Sequence, residues 1–364
     1  EQEAVEMLAA VKNEEIEAPV EEAIRENLVE TAPKAAKIKK TAYNETLGTT
    51  EWTLSNGVRV VVKPTTFKQD EILFYAFSQG GRSLVATADL PSAALATDVV
   101  ELGGLADMNA TDLQKALTGK RVSLSPSISA YSEGVNGSST VKDLETLLQL
   151  NYLYFTAPRR DEESYQTLMS ILDSQLANRD KNPKVAWSDS VQMMASNYSD
   201  RTLIINKELL SKASLDKALE VYKARFANPA DFTFFFVGNV DPADPAFQTM
   251  VCTWLGGLKA NKKLEKAADD KVRVAMGIQK NYFTRQMETK TASNRIQYTS
   301  YDMPYTLAND LNMEMIGRIL STRYLESIRE REGGSYGVGC AGWMNRYPVP
   351  YAQLIMQFDT DPEK

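Results

Sequence analysis

The stretch EWTLSNGVRVVVKPTTFKQDEILFYAFSQGG, residues 51–81, decides the fold class. Asn56-Gly57 lies between two strand-like runs, and Asn-Gly readily supplies the left-handed backbone of a two-residue hairpin turn. EILFYAFSQGG then reads as a third strand, apolar and ended by glycines. Helical patterning follows at LPSAALATDVVELGG (90–104), with glycine past its end, and at NATDLQKALTG (109–119), with Asn109 or Thr111 as cap. VSLSPSISA (122–130) and EGVNGSST (133–140) alternate like an antiparallel pair. Helices are predicted over 141–156, 161–180, 183–196 and 215–226, then a buried strand DFTFFFVG (231–238) and a helix within 241–258. Antiparallel strands with helices on one face define an α+β class.

Upstream, VEMLAAV and VEEAIRENLVE predict two acidic helices split at Pro19, followed by an extended TAPKAAKIKKTAYNETLGTT. Residues 1–45 thus read as an arm, and 46–258 as a first α+β domain. KANKKLEKAADDK (259–271) is charged, has no apolar face, and reads as a linker. A second domain, 272–364, starts afresh with KNYFTRQM and NRIQYTSYDM as strands, a helix over 308–332, and SYGVGCAGWMN and YAQLIMQFDT as strands. The order strand, strand, helix echoes the first region, so the two domains read as homologous. The second lacks the closing helices of the first and reads as C-terminally truncated.

Bulk properties narrow the function. The 364 residues carry a net charge of −7, which argues against a phosphate-tracking nucleic-acid binder. No apolar run reaches the length of a membrane span. The chain contains no histidine, which removes Ser-His-Asp and Cys-His catalysis and the usual zinc ligands. Cys252 and Cys340 are the only cysteines; they read as free buried thiols rather than a disulfide or metal pair. Any chemistry here rests on carboxylates, Arg, Lys, Tyr or backbone, and no paired-carboxylate motif supports a hydrolase acting alone.

GVGCAG (337–342) matches G-x-G-x-x-G, but a dinucleotide site needs strand, loop, then helix. Here a helix precedes and a strand runs through the motif, so it is read as structural. Helix 308–332 places Met313, Ile316, Ile319, Leu320, Tyr324 and Ile328 on one stripe, expected to face the core. In RILSTRYLESIREREGGSYGVG (318–339), Arg329 falls in the last turn, Gly333-Gly334 turns the chain, and Tyr336 follows. Singly, Arg329 suits a helix C-terminus and Tyr336 suits a strand. Together they offer two donors, protonated at neutral pH, to a carbonyl oxygen gaining negative charge. They supply no nucleophile, base or metal.

REREGGSY resembles the C-terminal half of the insulinase/pitrilysin family of zinc peptidases, the group with the inverted H-x-x-E-H motif. The opening stretch, ATDLQKALTGKRVSLSPSIS, LQLNYLYFTAPR and FTFFFVGNVDP extend the resemblance over nearly the whole chain, toward large bacterial members with four domains. The resemblance implies a clamshell. Its N-terminal half holds zinc and the general-base glutamate; its C-terminal half closes over a peptide or unfolded protein substrate. By this resemblance Arg329 and Tyr336 contact the substrate carbonyl and support the tetrahedral intermediate. PSAALATDVVELGG, where an active half would hold the motif, has Thr97, Asp98 and Glu101 and makes no zinc site. No cofactor is therefore expected on this chain, zinc is expected on the N-terminal half, and the chain alone is expected to be inactive. Residues 1–40 would connect the halves, and the relatives suggest a bacterial cell envelope (periplasm). The alternative is a non-catalytic scaffold or peptide-binding assembly subunit, which would not need both Arg329 and Tyr336.

Overall fold

The computed structural model describes residues 25–261, 264–288, 290–335 and 337–363. The hairpin read from Asn56-Gly57 joins β2 to β3. The first strands are β1 (Ile38–Asn44), β2 (Thr49–Leu54), β3 (Arg59–Pro64) and β4 (Ile72–Gln79). Gly57 takes φ 94°, and its amide closes the turn on the Leu54 carbonyl at 2.9 Å. The Asn56 amide also donates to the carbonyls of Leu255 and Leu258 at 3.0 and 3.1 Å, so the turn is fixed by chain 200 residues away.

After β4 come α1 (Leu90–Ala93), α2 (Ala96–Gly103) and α3 (Ala110–Ala116), then β5 (Val122–Ile128) and β6 (Ser132–Ser139). A helical layer follows: α4 (Leu144–Thr156), α5 (Glu162–Leu176), α6 (Pro183–Ala195), α7 (Lys207–Ser211) and α8 (Leu215–Arg225). The chain returns through β7 (Thr233–Gly238) and α9 (Pro245–Trp254). The strands form a seven-stranded sheet in the order β1-β2-β3-β7-β4-β6-β5. The sheet is mixed. The expectation of antiparallel groups is corrected at β3 and β7, which run parallel because β7 returns over the helical layer and inserts between β3 and β4.

Alternation buries one face of this sheet. Phe74, Phe234 and Phe236 lie under the helices with Phe226, Phe232 and Tyr222, all at 2 % exposure or less. Phe155 of α4 meets Phe226 and Phe232 edge-on at 5.3 and 5.0 Å, the geometry aromatic rings prefer.

The expected helices of residues 1–24 lie outside the described residues. Within 25–37 no helix forms, which corrects the reading of VEEAIRENLVE at its C-terminal end. The cause is tertiary: the Leu28 and Val29 amides donate to Gln149 Oε1 at 2.7 and 3.1 Å, and Leu28 is 4 % exposed. The extended stretch that follows becomes β1, an edge strand of the sheet.

A three-stranded antiparallel sheet follows, built from β8 (Ala292–Ser300), β9 (Val338–Asn345) and β10 (Tyr351–Thr360) in the order β8-β10-β9. Between β8 and β9 runs α10 (Leu307–Tyr324). The topology repeats part of the first sheet: β4, helices, β5, β6, in the order β4-β6-β5. KNYFTRQM, expected as a strand, is irregular; among the described residues of 259–291 no strand or helix forms, and Tyr282 stands 88 % exposed with no ladder to join.

The stripe expected on α10 is half right. Met313, Leu320 and Tyr324 are half-buried, but Ile316 and Ile319 are 43 % and 53 % exposed. Contact with the sheet centres on Gly317, the only fully buried residue of α10, and each residue turns about 100° around a helix, which carries Ile316 and Ile319 off the contact line. Gly342 of β9 lies under Gly317, so the G-x-G-x-x-G match is a packing feature: a side chain at Gly342 would run into the Met313 carbonyl.

Candidate functional site

The candidate site grows from the far end of α10. The Thr306 hydroxyl caps the helix by accepting from the Asn309 amide at 3.0 Å, and Asp310 Oδ1 accepts from the Met344 amide at 2.8 Å. The helix start is thereby fastened to β9. Past Tyr324 the helix continues as a wider π turn over Leu325–Arg331. Such turns displace side chains from the regular helical line and are frequent at functional sites. The end is a glycine cap: Gly333 takes φ 60°, its amide donates to the Arg329 carbonyl at 3.1 Å, and the Gly334 amide reaches the Ile328 carbonyl at 2.9 Å. Ser335 then turns the chain into β9, with its hydroxyl 2.8 Å from the Gly337 carbonyl.

Arg329 stands exposed on this last turn, where the helix dipole favours a cation. Tyr336 lies outside the described residues. The glycine turn read from sequence is thus present and Arg329 is on it, while the pairing with Tyr336 stays an expectation.

At the helix matching the family's metal motif, α2 presents Asp98 to solvent and keeps Glu101 half-buried. Burial, with the charge of Asp98, pushes the Glu101 carboxyl above its usual range, and a hydrogen bond from the Ser125 side chain works against this. Burial also pushes up the phenols of Tyr154 and Tyr222, helped by the charge of Glu101. This is carboxylate among phenols, without histidine. Among the described residues no group of three or more His, Cys, Asp or Glu could hold a metal ion. The donor set does not fit a catalytic zinc. Cys252 and Cys340 are free and half-buried in separate units. Among the described residues no helix is long and apolar enough to cross a membrane.

Sequence reasoning missed one cluster. The charged segment read as a solvated linker is fastened to the first unit through Glu265, Ala268 and Asp270. Nothing in the sequence itself separates Asp269 and Asp270 from the solvated acids around them.

Residues 212–364 match the family described as the peptidase M16 inactive domain, and the chain as a whole is similar to zinc proteases of the PqqL type. It is 25 % identical over 363 residues to the zinc protease PQQL-like of Arabidopsis thaliana, covering 94 % of this chain and 34 % of that protein. It is 23 % identical over 320 residues to the probable zinc protease PqqL of Escherichia coli (strain K12), covering 85 % of this chain and 33 % of that protein. The crystal structure of the periplasmic protease PqqL from Escherichia coli superposes with a TM-score of 0.81 at 20 % identity, over 99 % of this chain and 39 % of that one. The chain therefore spans about a third of the curated relatives it matches. The curated relatives are zinc proteases, while among the described residues of this chain no group could hold a metal ion.

Proposed function

We propose that this chain is the zinc-free C-terminal half of a two-half metalloendopeptidase, closing over a peptide substrate opposite a zinc-bearing half that lies outside it. The observation that carries the reading is the exposed Arg329 on a π turn capped by Gly333, seven residues before a tyrosine. A guanidinium cannot act as base or nucleophile at neutral pH, but it can donate to an oxygen gaining charge. In this reading Arg329 and Tyr336 hold the scissile carbonyl and support its tetrahedral intermediate, while zinc and the general base act from the other half. Residues 46–258 and 272–364 are two copies of one unit, a reading supported by their shared strand–helix–strand–strand order.

The test is reconstitution. Purified chain is mixed with a separately produced zinc-bearing half of the same parent and a fluorogenic peptide library. Cleavage by the mixture, with none from either half, supports the reading. Arg329→Ala and Tyr336→Phe should then each slow turnover without changing zinc content, by about 100- to 1,000-fold for loss of one such donor. Binding of the halves without cleavage favours the scaffold alternative, and unaltered cleavage by both variants removes the role given to the pair.

A further inference from the structure

We propose that Asp270 is a positioning residue, fixing where the β8–β10 sheet and α10 stand against the seven-stranded sheet. Its side chain is 9 % exposed and sits in a socket made by two separate parts of the first unit. Asp270 Oδ1 accepts from the Tyr131 hydroxyl at 2.8 Å, in the turn between β5 and β6. Oδ2 stands 3.7 Å from Arg201 Nε. Arg201 is itself held on the rim: its guanidinium donates to the carbonyls of Arg82 and Val85 at 2.6 and 3.1 Å, and to Thr87 Oγ1 at 3.1 Å. A donor so constrained cannot follow the carboxylate if the segment shifts, so the socket selects one position.

Beyond Asp270 the path is equally fixed. Lys271 adopts φ 62°, left-handed for a residue with a side chain, and that kink is held by Asp269. Asp269 accepts from Lys271 Nζ at 2.7 Å, from the Lys271 amide at 3.0 Å and from Arg273 at 2.8 Å, and these bonds, the Lys271 ammonium foremost, pull its carboxyl down to about 2. Asp270 Oδ1 also accepts from the Val272 amide at 3.2 Å. The Val274 amide donates to the Tyr301 hydroxyl at 3.0 Å, while the Arg273 guanidinium lies 5.8 Å from the Tyr301 ring centre. Tyr301 directly follows β8, and its ring is 5.6 Å from that of Tyr351, which opens β10. The rim of the first sheet is thus joined to the ends of two strands of the second by consecutive polar and aromatic contacts, with Asp270 at the centre.

Upstream contacts make this testable without unfolding the protein. The Ala268 amide donates to Ser83 Oγ at 2.9 Å, and Glu265 pairs with the buried Arg225 at 2.9 Å. These keep the segment attached when Asp270 is changed, so its loss frees orientation rather than tethering.

The experiment compares the full chain with Asp270→Ala, Tyr131→Phe and the double variant. Hydrogen exchange by mass spectrometry and small-angle scattering are the readouts. Exchange at residues 271–275 and 300–302 should rise about tenfold or more in either single variant, as expected for losing a hydrogen bond to a buried charge. The scattering profile should broaden toward a more extended average, while exchange in β4 and β7 stays as in the parent. The double variant should be no worse than Asp270→Ala, because Asp270→Ala already removes the only contact that Tyr131→Phe takes away. Wild-type exchange and scattering in both single variants would overturn the proposal, as would additive effects in the double. None of these readouts needs peptidase activity, so they stand apart from the role given to Arg329. Resting on that role, the same variants in the reconstituted peptidase should raise KM and lower kcat without altering zinc content.

Discussion

Gly317→Ala is the substitution on which the packing of the second sheet can be judged. A methyl group there would press on the Gly342 amide nitrogen and stand 2.9 and 3.0 Å from the Ala341 carbonyl carbon and Cα. Carbon atoms in good contact sit about 3.5–4.0 Å apart, so α10 must lift by roughly 0.5–1 Å. Backbone lies on both sides, so no side chain can rotate away. The lift stretches the Asp310–Met344 hydrogen bond, now 2.8 Å, past the range where such bonds hold. A bond to a charged group contributes about 1.5–3 kcal/mol, and overpacking strain of about 1–3 kcal/mol is its alternative if the helix stays put. Either route gives about 1–3 kcal/mol, a large part of the stability of a small unit. Hydrogen exchange of the α10 and β9 amides, with urea titration, reads this directly. Gly339→Ala is the control: its added methyl meets only the Gln357 carbonyl at 4.0 Å, and the change should fall within about 0.5 kcal/mol. Equal stability of the Gly317→Ala and Gly339→Ala variants would refute the close approach of helix and strand.

Three further outcomes follow from the geometry. The Glu101 carboxyl is held above its ordinary 4.5 by burial, so the folded chain keeps a proton that the unfolded chain releases as pH rises past 4.5. This contribution to stability is complete below 4.5 and drains away as pH climbs through the raised folded value; Glu101→Gln should flatten that slope in urea midpoints taken from pH 4 to 8. Incubation with zinc followed by gel filtration and metal analysis should leave under about 0.1 zinc per chain, because two carboxylates without histidine make a poor zinc site; a stoichiometric, chelator-sensitive zinc that raises Tm would contradict this. Asn56→Ala should lower stability by about 1–3 kcal/mol, since it leaves the Leu255 and Leu258 carbonyls without their 3.0 and 3.1 Å donor.

Much of the fold is legible in local pattern. The Asn56-Gly57 hairpin, the β5–β6 pair and the helices α4, α5, α6 and α8 follow from turn chemistry, alternation and helical spacing, whereas the short α7 was not read. What local pattern misses is set by distant partners. Residues 25–37 carry helical composition, yet the Leu28 and Val29 amides bond to Gln149. KNYFTRQM has strand composition but no neighbouring strand, and a strand forms only with a partner. The parallel pairing of β7 with β3 joins residues 174 apart, such as Arg59 and Thr233, which no window of sequence contains. At the site, the glycine cap after Arg329 was readable because left-handed backbone selects glycine. Asp270 was not, because a buried acid and a solvated one look alike until Tyr131 and Arg201 stand beside it.

The place of β7 in the sheet also constrains how the first unit is made. β1, β2 and β3 pair as neighbours in sequence, and so do β5 and β6, with β4 close behind. These two groups share no strand contact except through Thr233–Gly238. During synthesis each can pair as soon as it emerges, but the sheet stays in two pieces until residue 238 is available. The strand that joins them carries Phe234 and Phe236, which fill the centre of the core. The last strand to arrive is therefore the one that closes it, and two open strand edges wait for it in the meantime. Such a long-range closing step is slow relative to local pairing and leaves those edges open to wrong partners. Folding of this unit should accordingly depend more on protection of the nascent chain than its many short-range pairings suggest.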